Sequence, residues 1–215
     1  MNKNIHHLHY ISQSTEEHTH QDLILEALKG GVKWIQLRIK ETPKDEVLRI
    51  AQEVRKLCTQ YNAQLILNDH VQIAKEIKAD GVHLGLTDLS TKEAREILGE
   101  EVIIGGTANT LEDIIYHYEN GVDYVGVGPY RFTSTKKNLS PIVGLEGYKQ
   151  LIQELKDREI KLPLIAIGGI DQADFSLLKE VGVHGIALAS LINLNENPQG
   201  KALEIVQAIE ETWKN

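Results

Sequence analysis

The chain has 215 residues, enough for one domain with a sizeable core or at most two small ones. Its hydrophobic content of 41% supports folding, and 31 acidic residues against 23 Lys and Arg give a formal charge of -8. That balance disfavours extended nucleic-acid backbones as partners but leaves room for a small anionic ligand, which feels the local field.

The opening stretch, MNKNIHHLHYISQS, lacks the long apolar core of a signal peptide, and no apolar run is long enough to span a bilayer. The single cysteine, Cys58, excludes an internal disulfide and suits a reducing compartment, so a cytoplasmic protein is expected. Cys58 falls in the helical pattern EVRKLCTQY and reads as packing. The tripeptide Asn138-Leu139-Ser140 matches a glycosylation acceptor, with nothing else to support secretion. His6, His7, His9, His18 and His20 crowd the start without the spacing of a metal-ligand set, and a ragged start followed by a first strand accounts for them.

From there short apolar runs alternate with helical patterns to the end. The runs are Leu8 to Ser12, Trp34 to Ile39, Gln64 to Asp69, Gly81 to Gly85, Val102 to Gly106, Tyr124 to Gly128, Leu164 to Gly169 and Gly185 to Ser190. They are rich in Val, Ile and Leu and mostly not strictly alternating, as strands buried on both faces are. Between them lie amphipathic windows. In DEVLRIAQEVRKL, residues Val47, Ile50, Ala51, Val54 and Leu57 form one apolar stripe. Pro43 sits near a helix start, Ser90 and Thr110 stand at N-cap positions, and Gly30-Gly31, Gly81, Gly121 and Gly182 punctuate helix ends. Eight such units in one chain predict a (βα)8 TIM barrel, a single compact domain over residues 1–215; the competitor is an open doubly wound sheet.

In such a barrel function belongs at the C-terminal ends of the strands. Gln36, Arg38 and Lys40 share one parity and face inward if the second strand runs through them; the alternative is a strand that stops at Leu37 and leaves Arg38 and Lys40 solvated. Asn68 and Asp69 end the third run, and Asp88 lies in the loop after the fourth, so two carboxylates on adjacent loops can hold a hard divalent ion. Gly105 and Gly106 are expected to let a ligand approach the backbone, with Thr107 offering a hydroxyl. After the sixth run, Thr133, Thr135 and Lys136, with Lys137 beside them, sit in a long loop able to surround a diphosphate. Gly168 and Gly169 after the seventh run, and Ser190 after the eighth, stand where phosphate-binding barrels hold a phosphate. His83 reads as a core or mouth histidine, with proton transfer as the sharper possibility. His117 and His184 read as structural or exposed, and Trp34 and Trp213 as packing residues. Two polyanion regions at one mouth suit the joining of a diphosphate-bearing molecule to a monophosphate-bearing one.

The chain closely resembles the thiamine-phosphate synthase family in QLRIK (36–40), ND (68–69), ADGVHLG (79–85) with Asp88, GVDYVGVGP (121–129), TSTK (133–136), AIGGI (166–170) and GIALAS (185–190). The resemblance implies a transferase of thiamine biosynthesis. It would join 4-amino-2-methyl-5-hydroxymethylpyrimidine diphosphate to hydroxyethylthiazole phosphate, or its carboxylated form, releasing diphosphate. It implies that Gln36, Arg38, Lys40 and Asn68 hold the pyrimidine diphosphate and that Asp69 and Asp88 bind Mg²⁺. Thr107, Thr133, Thr135 and Lys136 would contact pyrimidine and diphosphate. Gly169, Ala189 and Ser190, with Gly168 beside them, would take the thiazole phosphate. Arg38, Lys40 and Lys136 would stabilise the leaving charge, and a homo-oligomer, as a dimer, is expected.

There are departures. The family often has an acidic residue at the Ile39 position, Gln at Leu86, Ser at Thr107 and an aromatic-proline pair at Arg131-Phe132. The thiazole tautomerase branch of the same superfamily is the nearest alternative. It carries a catalytic histidine where this chain has Pro129, and it tends to lose parts of the set that Asp69, Asp88 and Lys136 complete here. A non-catalytic barrel that binds a phosphorylated ligand is the alternative from another class, motivated by the changes at Leu86 and Thr107.

Overall fold

The computed structural model describes residues 3–132 and 141–214. Eight parallel strands close into a barrel in chain order: β1 (Leu8–Ile11), β2 (Trp34–Leu37), β3 (Gln64–Asn68), β4 (Gly81–Leu84), β5 (Ile103–Ala108), β6 (Tyr124–Val127), β7 (Leu164–Ile167) and β8 (Gly185–Leu188). The seam closes where β1 pairs with β8, Leu8 opposite Ile186 and Tyr10 opposite Leu188. The open-sheet alternative is thereby set aside. The helices are α1 (His20–Lys29), α2 (Lys44–Gln60), α3 (Val71–Glu76), α4 (Thr91–Leu98), α5 (Leu111–Glu119), α6 (Gly144–Asp157), α7 (Phe175–Val181), the short α8 (Ser190–Asn193) and α9 (Pro198–Thr212). Among the described residues no helix is long and apolar enough to cross a membrane.

Local signals explain most boundaries. Ser90 and Thr110 accept the backbone N–H of Glu93 and Asp113, and both carboxylates return the bond in capping boxes that start α4 and α5. Thr19 does the same for α1. Gly182 ends α7 in the left-handed conformation, φ 103°, as a C-cap glycine does. Gly81 departs from the sequence expectation: it opens β4 rather than ending a helix. A Cβ there would stand 2.4 Å from the Ile103 carbonyl oxygen.

Burial falls into two layers. The stripe of α2 turns Val47, Ile50, Ala51 and Val54 inward, and Cys58 is buried beside them, as packing. Inside the barrel a second cluster comprises Ile11, Trp34, Ile66, Ile103, Tyr124, Ile165 and Ala187. This inner cluster forms a plug on which the mouth rests.

The N-terminal end of the barrel is sealed by ion pairs of repeated design. Asp80, just before β4, accepts the backbone N–H of Leu65 at 2.7 Å and pairs with Arg55 of α2 at 2.5 Å. Asp123, just before β6, accepts the N–H of Ile104 at 2.8 Å and pairs with Arg95 of α4 at 2.7 Å. Lys3 adds a second cation on Asp123 at 2.9 Å. Each aspartate thus ties an odd strand to the even strand after it and to a helix two units away in the fold. Nearby, His184 bonds the Ile5 carbonyl through Nε2 at 2.8 Å, and His7 stacks on Trp213 with ring centroids 5.8 Å apart. His184 and Trp213 are therefore structural.

Candidate active site

At the other end of the barrel a cavity of about 410 Å³ opens between the strand ends. Gln36, Arg38 and Lys40 all line it, although β2 ends at Leu37. The inward parity therefore outlasts the ladder: Ile39 is buried on the opposite side at 5% exposure, while Arg38 and Lys40 rise toward the mouth. Ser12 helps to hold this extension, its Oγ accepting the Arg38 backbone N–H at 3.1 Å. Where the family often has an acidic residue, this chain thus places an apolar side chain against the core.

Asn68 ends β3 fully inside, and Asp69 follows in the left-handed region at φ 65°. Its N–H is anchored on the His83 carbonyl oxygen at 3.0 Å. Aspartate and asparagine tolerate that conformation better than most side chains. Across the gap Asp88 accepts the Gly85 N–H at 2.7 Å. Burial, and then the hydrogen-bonding contact with the Asp69 carboxyl, push the Asp88 carboxyl above its ordinary pKa. Lys40 bonds Asp69. Two carboxylates thus converge, and one lysine pairs with the first of them.

This donor set fits a hard divalent cation, because two carboxylates that repel each other supply oxygen ligands at one point. Among the described residues no third acidic, histidine or cysteine ligand joins them. The remaining coordination positions therefore suit water and phosphate oxygens, which is the usual pattern for Mg²⁺.

On β5, Thr107 lines the cavity and its hydroxyl meets His83 Nε2 at 3.0 Å, while His83 Nδ1 meets the Tyr124 hydroxyl at 3.0 Å. His83 is a half-buried bridge between two strands' hydroxyls. Gly105 and Gly106 correct the sequence expectation. Their missing side chains make room for protein rings and not for a ligand: a Cβ on Gly105 would lie 2.1 Å from the Tyr124 ring, and one on Gly106 2.6 Å from the His117 imidazole. His117 is accordingly buried, with Nε2 on the Thr107 carbonyl oxygen at 2.9 Å.

The β7 and β8 side of the mouth is built differently. Gly168 and Gly169 both have positive φ, 92° and 67°. A Cβ on Gly168 would stand 2.8 Å from Pro129 Cβ, and one on Gly169 2.8 Å from the Phe132 carbonyl oxygen. Ala189 and Ser190 line the same wall, with Ser190 exposed at the start of α8. Arg131 fastens this wall to the end of β6: it bonds the Gly169 carbonyl at 3.1 Å, pairs with Asp174 and lies over the Tyr130 ring at 4.7 Å. Burial opposes ionisation of Asp174, but the Arg131 hydrogen bonds prevail and hold its carboxyl below the ordinary range. Thr133, Thr135, Lys136 and Lys137 lie outside the described residues.

The cavity thus brings together Gln36, Arg38, Lys40, Asn68, Asp69, Asp88, Thr107, Gly168, Gly169, Ala189 and Ser190. Its lining also includes residues that the strand ends do not reveal, chiefly His9, Asn109 and Tyr124. His9 and Tyr124 carried a usable signal, a polar aromatic residue at an inward strand position where a branched apolar one packs best.

Residues 8–192 match the family model described as thiamine monophosphate synthase. The chain belongs to that family. It is 49% identical over 199 residues to the thiamine-phosphate synthase of Bacteroides thetaiotaomicron, covering 93% of this chain and 95% of the relative. It is 46% identical over 208 residues to that of Flavobacterium johnsoniae, covering 97% of each. The solved thiamine phosphate pyrophosphorylase of Pyrococcus furiosus superposes with a TM-score of 0.83 at 31% identity over 96% of both chains. Membership of the thiamine monophosphate synthase family implies metal-dependent chemistry, which agrees with the paired carboxylates at this mouth.

Proposed function

We propose that this chain is a transferase that joins 4-amino-2-methyl-5-hydroxymethylpyrimidine diphosphate to hydroxyethylthiazole phosphate, or its carboxylated form, giving thiamine phosphate and diphosphate. The observation that carries the reading is the asymmetry of one cavity: charged groups beyond the ends of β2 to β4 face a wall of small residues, Gly168, Gly169, Ala189 and Ser190, beyond the ends of β7 and β8. The first half suits a diphosphate with its metal ion, the second a phosphate approached closely by backbone.

In this reading Gln36, Asn68 and Thr107 orient the pyrimidine, and Arg38 and Lys40 hold its diphosphate. Asp69 and Asp88 hold Mg²⁺, which when bound offsets charge on the departing diphosphate. The C–O bond to diphosphate breaks and takes its electron pair with it, while the aminopyrimidine ring supports the positive charge left on the methylene carbon. Arg38 and Lys40 stabilise the growing anion, and Lys136, with Thr133 and Thr135, is assigned to the same task from the family motif. Gly168, Gly169, Ala189 and Ser190 anchor the thiazole phosphate so that the ring nitrogen's lone pair closes the new C–N bond. No protein nucleophile and no proton relay is required. Pro129, which lines the cavity, offers no titratable group where the tautomerase branch carries its histidine.

We further infer one catalytic domain over residues 1–215, a homodimer in solution and a cytoplasmic location, the last supported by a single, buried cysteine, Cys58. Light scattering tests the dimer. The reaction is tested by supplying both substrates to the purified protein, with Mg²⁺ and then with chelator, and following thiamine phosphate by mass. Magnesium-dependent product is expected. Absence of product with both the plain and the carboxylated thiazole would overturn the reading.

A further inference from the structure

His9 has no part in the roles assigned above, yet it lies in the floor of the same cavity. It sits on β1 opposite Ala187 of β8 and is 1% exposed. Its ring stacks on Trp34 with centroids 3.7 Å apart and planes 12° from parallel, and meets Tyr124 edge-on at 5.6 Å. A phenyl ring would serve that packing equally well. Histidine instead buries an Nε2 that has no hydrogen-bond partner among the described residues. That atom is enclosed by protein, so the ring meets the cavity through its other edge, where Nδ1 has no hydrogen bond among the described residues. Burial holds the imidazole well below its ordinary pKa, so the ring is neutral and one nitrogen can accept while the other donates.

We propose that His9 reads the aminopyrimidine ring of the diphosphate substrate through a hydrogen bond at Nδ1, the nitrogen on the cavity side of its ring. The inference rests on the synthase reading and adds a residue to it. The choice of ring follows from the chemistry. The thiazole's single ring nitrogen must keep its lone pair free to form the new bond, so a hydrogen bond to it would oppose the reaction. The aminopyrimidine keeps an amino group and ring nitrogens along its edge throughout, so a fixed polar atom on the floor can hold it before, during and after transfer. Trp34 and Tyr124 fix the imidazole in place, which makes the contact directional.

His9→Phe keeps the stack on Trp34 and removes both nitrogens. We expect kcat/KM for the pyrimidine diphosphate to fall about tenfold or more. KM for the thiazole phosphate and inhibition by inorganic diphosphate should stay close to parental, a split that a general loosening of the barrel would not produce. As a second measurement independent of the variant, the parental protein labelled with ¹⁵N-histidine is titrated by NMR. The His9 Nδ1 resonance should move with the pyrimidine diphosphate and not with inorganic diphosphate. Unchanged kcat/KM in a folded variant, or an unmoved resonance on saturation, overturns the role of His9 and leaves the synthase reading intact. A moved resonance without thiamine phosphate formation overturns the synthase reading and leaves the ring contact standing. Failure of the parental protein to bind the pyrimidine diphosphate overturns both.

Discussion

The two ends of this barrel use the same residue types to opposite effect. At the N-terminal end Asp80 and Asp123 each meet an arginine and a backbone N–H, so their charge is satisfied within the protein. At the mouth Asp69 and Asp88 face each other with one lysine nearby, and Asp88 resists ionisation. The first arrangement stabilises the fold. The second costs stability, as groups gathered for a ligand do.

The sharpest way to break this contrast is to neutralise the mouth carboxylates. Asp69→Asn and Asp88→Asn should each lower synthase turnover about 100-fold or more, while thermal melting stays level or rises. Asparagine is the right test at residue 69, because it accepts the positive φ there. Near-parental turnover in both variants would remove the metal assignment.

The converse experiment is Asp123→Ala. It strands the partly buried Arg95 and Lys3 and the Ile104 N–H, and should cost about 3 kcal/mol in urea denaturation with kcat unchanged in the folded fraction. A loss of kcat exceeding the loss of folded protein would show that the two ends are coupled.

A smaller, pH-dependent effect should come from the histidines of the N-terminal end. Burial lowers the pKa of His6 and of His184. The unfolded chain therefore binds more protons below about pH 6.5, and stability present above that value is lost as pH falls toward the depressed folded values. Urea midpoints at pH 7.5 and 5.5 measure the slope, and His184→Gln should flatten it. Leu86→Gln should do least: the side chain is half exposed two residues before Asp88, so a stability change within about 0.5 kcal/mol is expected, with the Mg²⁺ requirement retained.

The barrel itself was legible because its evidence is local. Eight apolar runs, Ser90 and Thr110 as caps, and the stripe from Val47 to Val54 each depend on neighbours in sequence. The parity of Gln36, Arg38 and Lys40 was legible for the same reason, even though the ladder stops at Leu37. What the sequence hid depends on register between distant strands. Nothing local says that Asp80 will meet Leu65 and Arg55, or that Gly105 yields its volume to Tyr124. A glycine in a strand can serve a ligand, a bend or a neighbour's ring, and only the packing tells which. His9 is masked by the other opening histidines, because composition does not say which of them a strand turns inward.

The pairing of Gly105 with Tyr124 bears on how such a pocket can change. Gly105 is not among the residues that line the cavity, whereas Tyr124 is. A methyl group at 105 would collide with the tyrosine ring and drive it from its berth, altering the depth available to a substrate without any change in the lining residues themselves. Drift in substrate size could therefore begin one layer behind the surface that touches the ligand, where a survey of contact residues would find nothing altered.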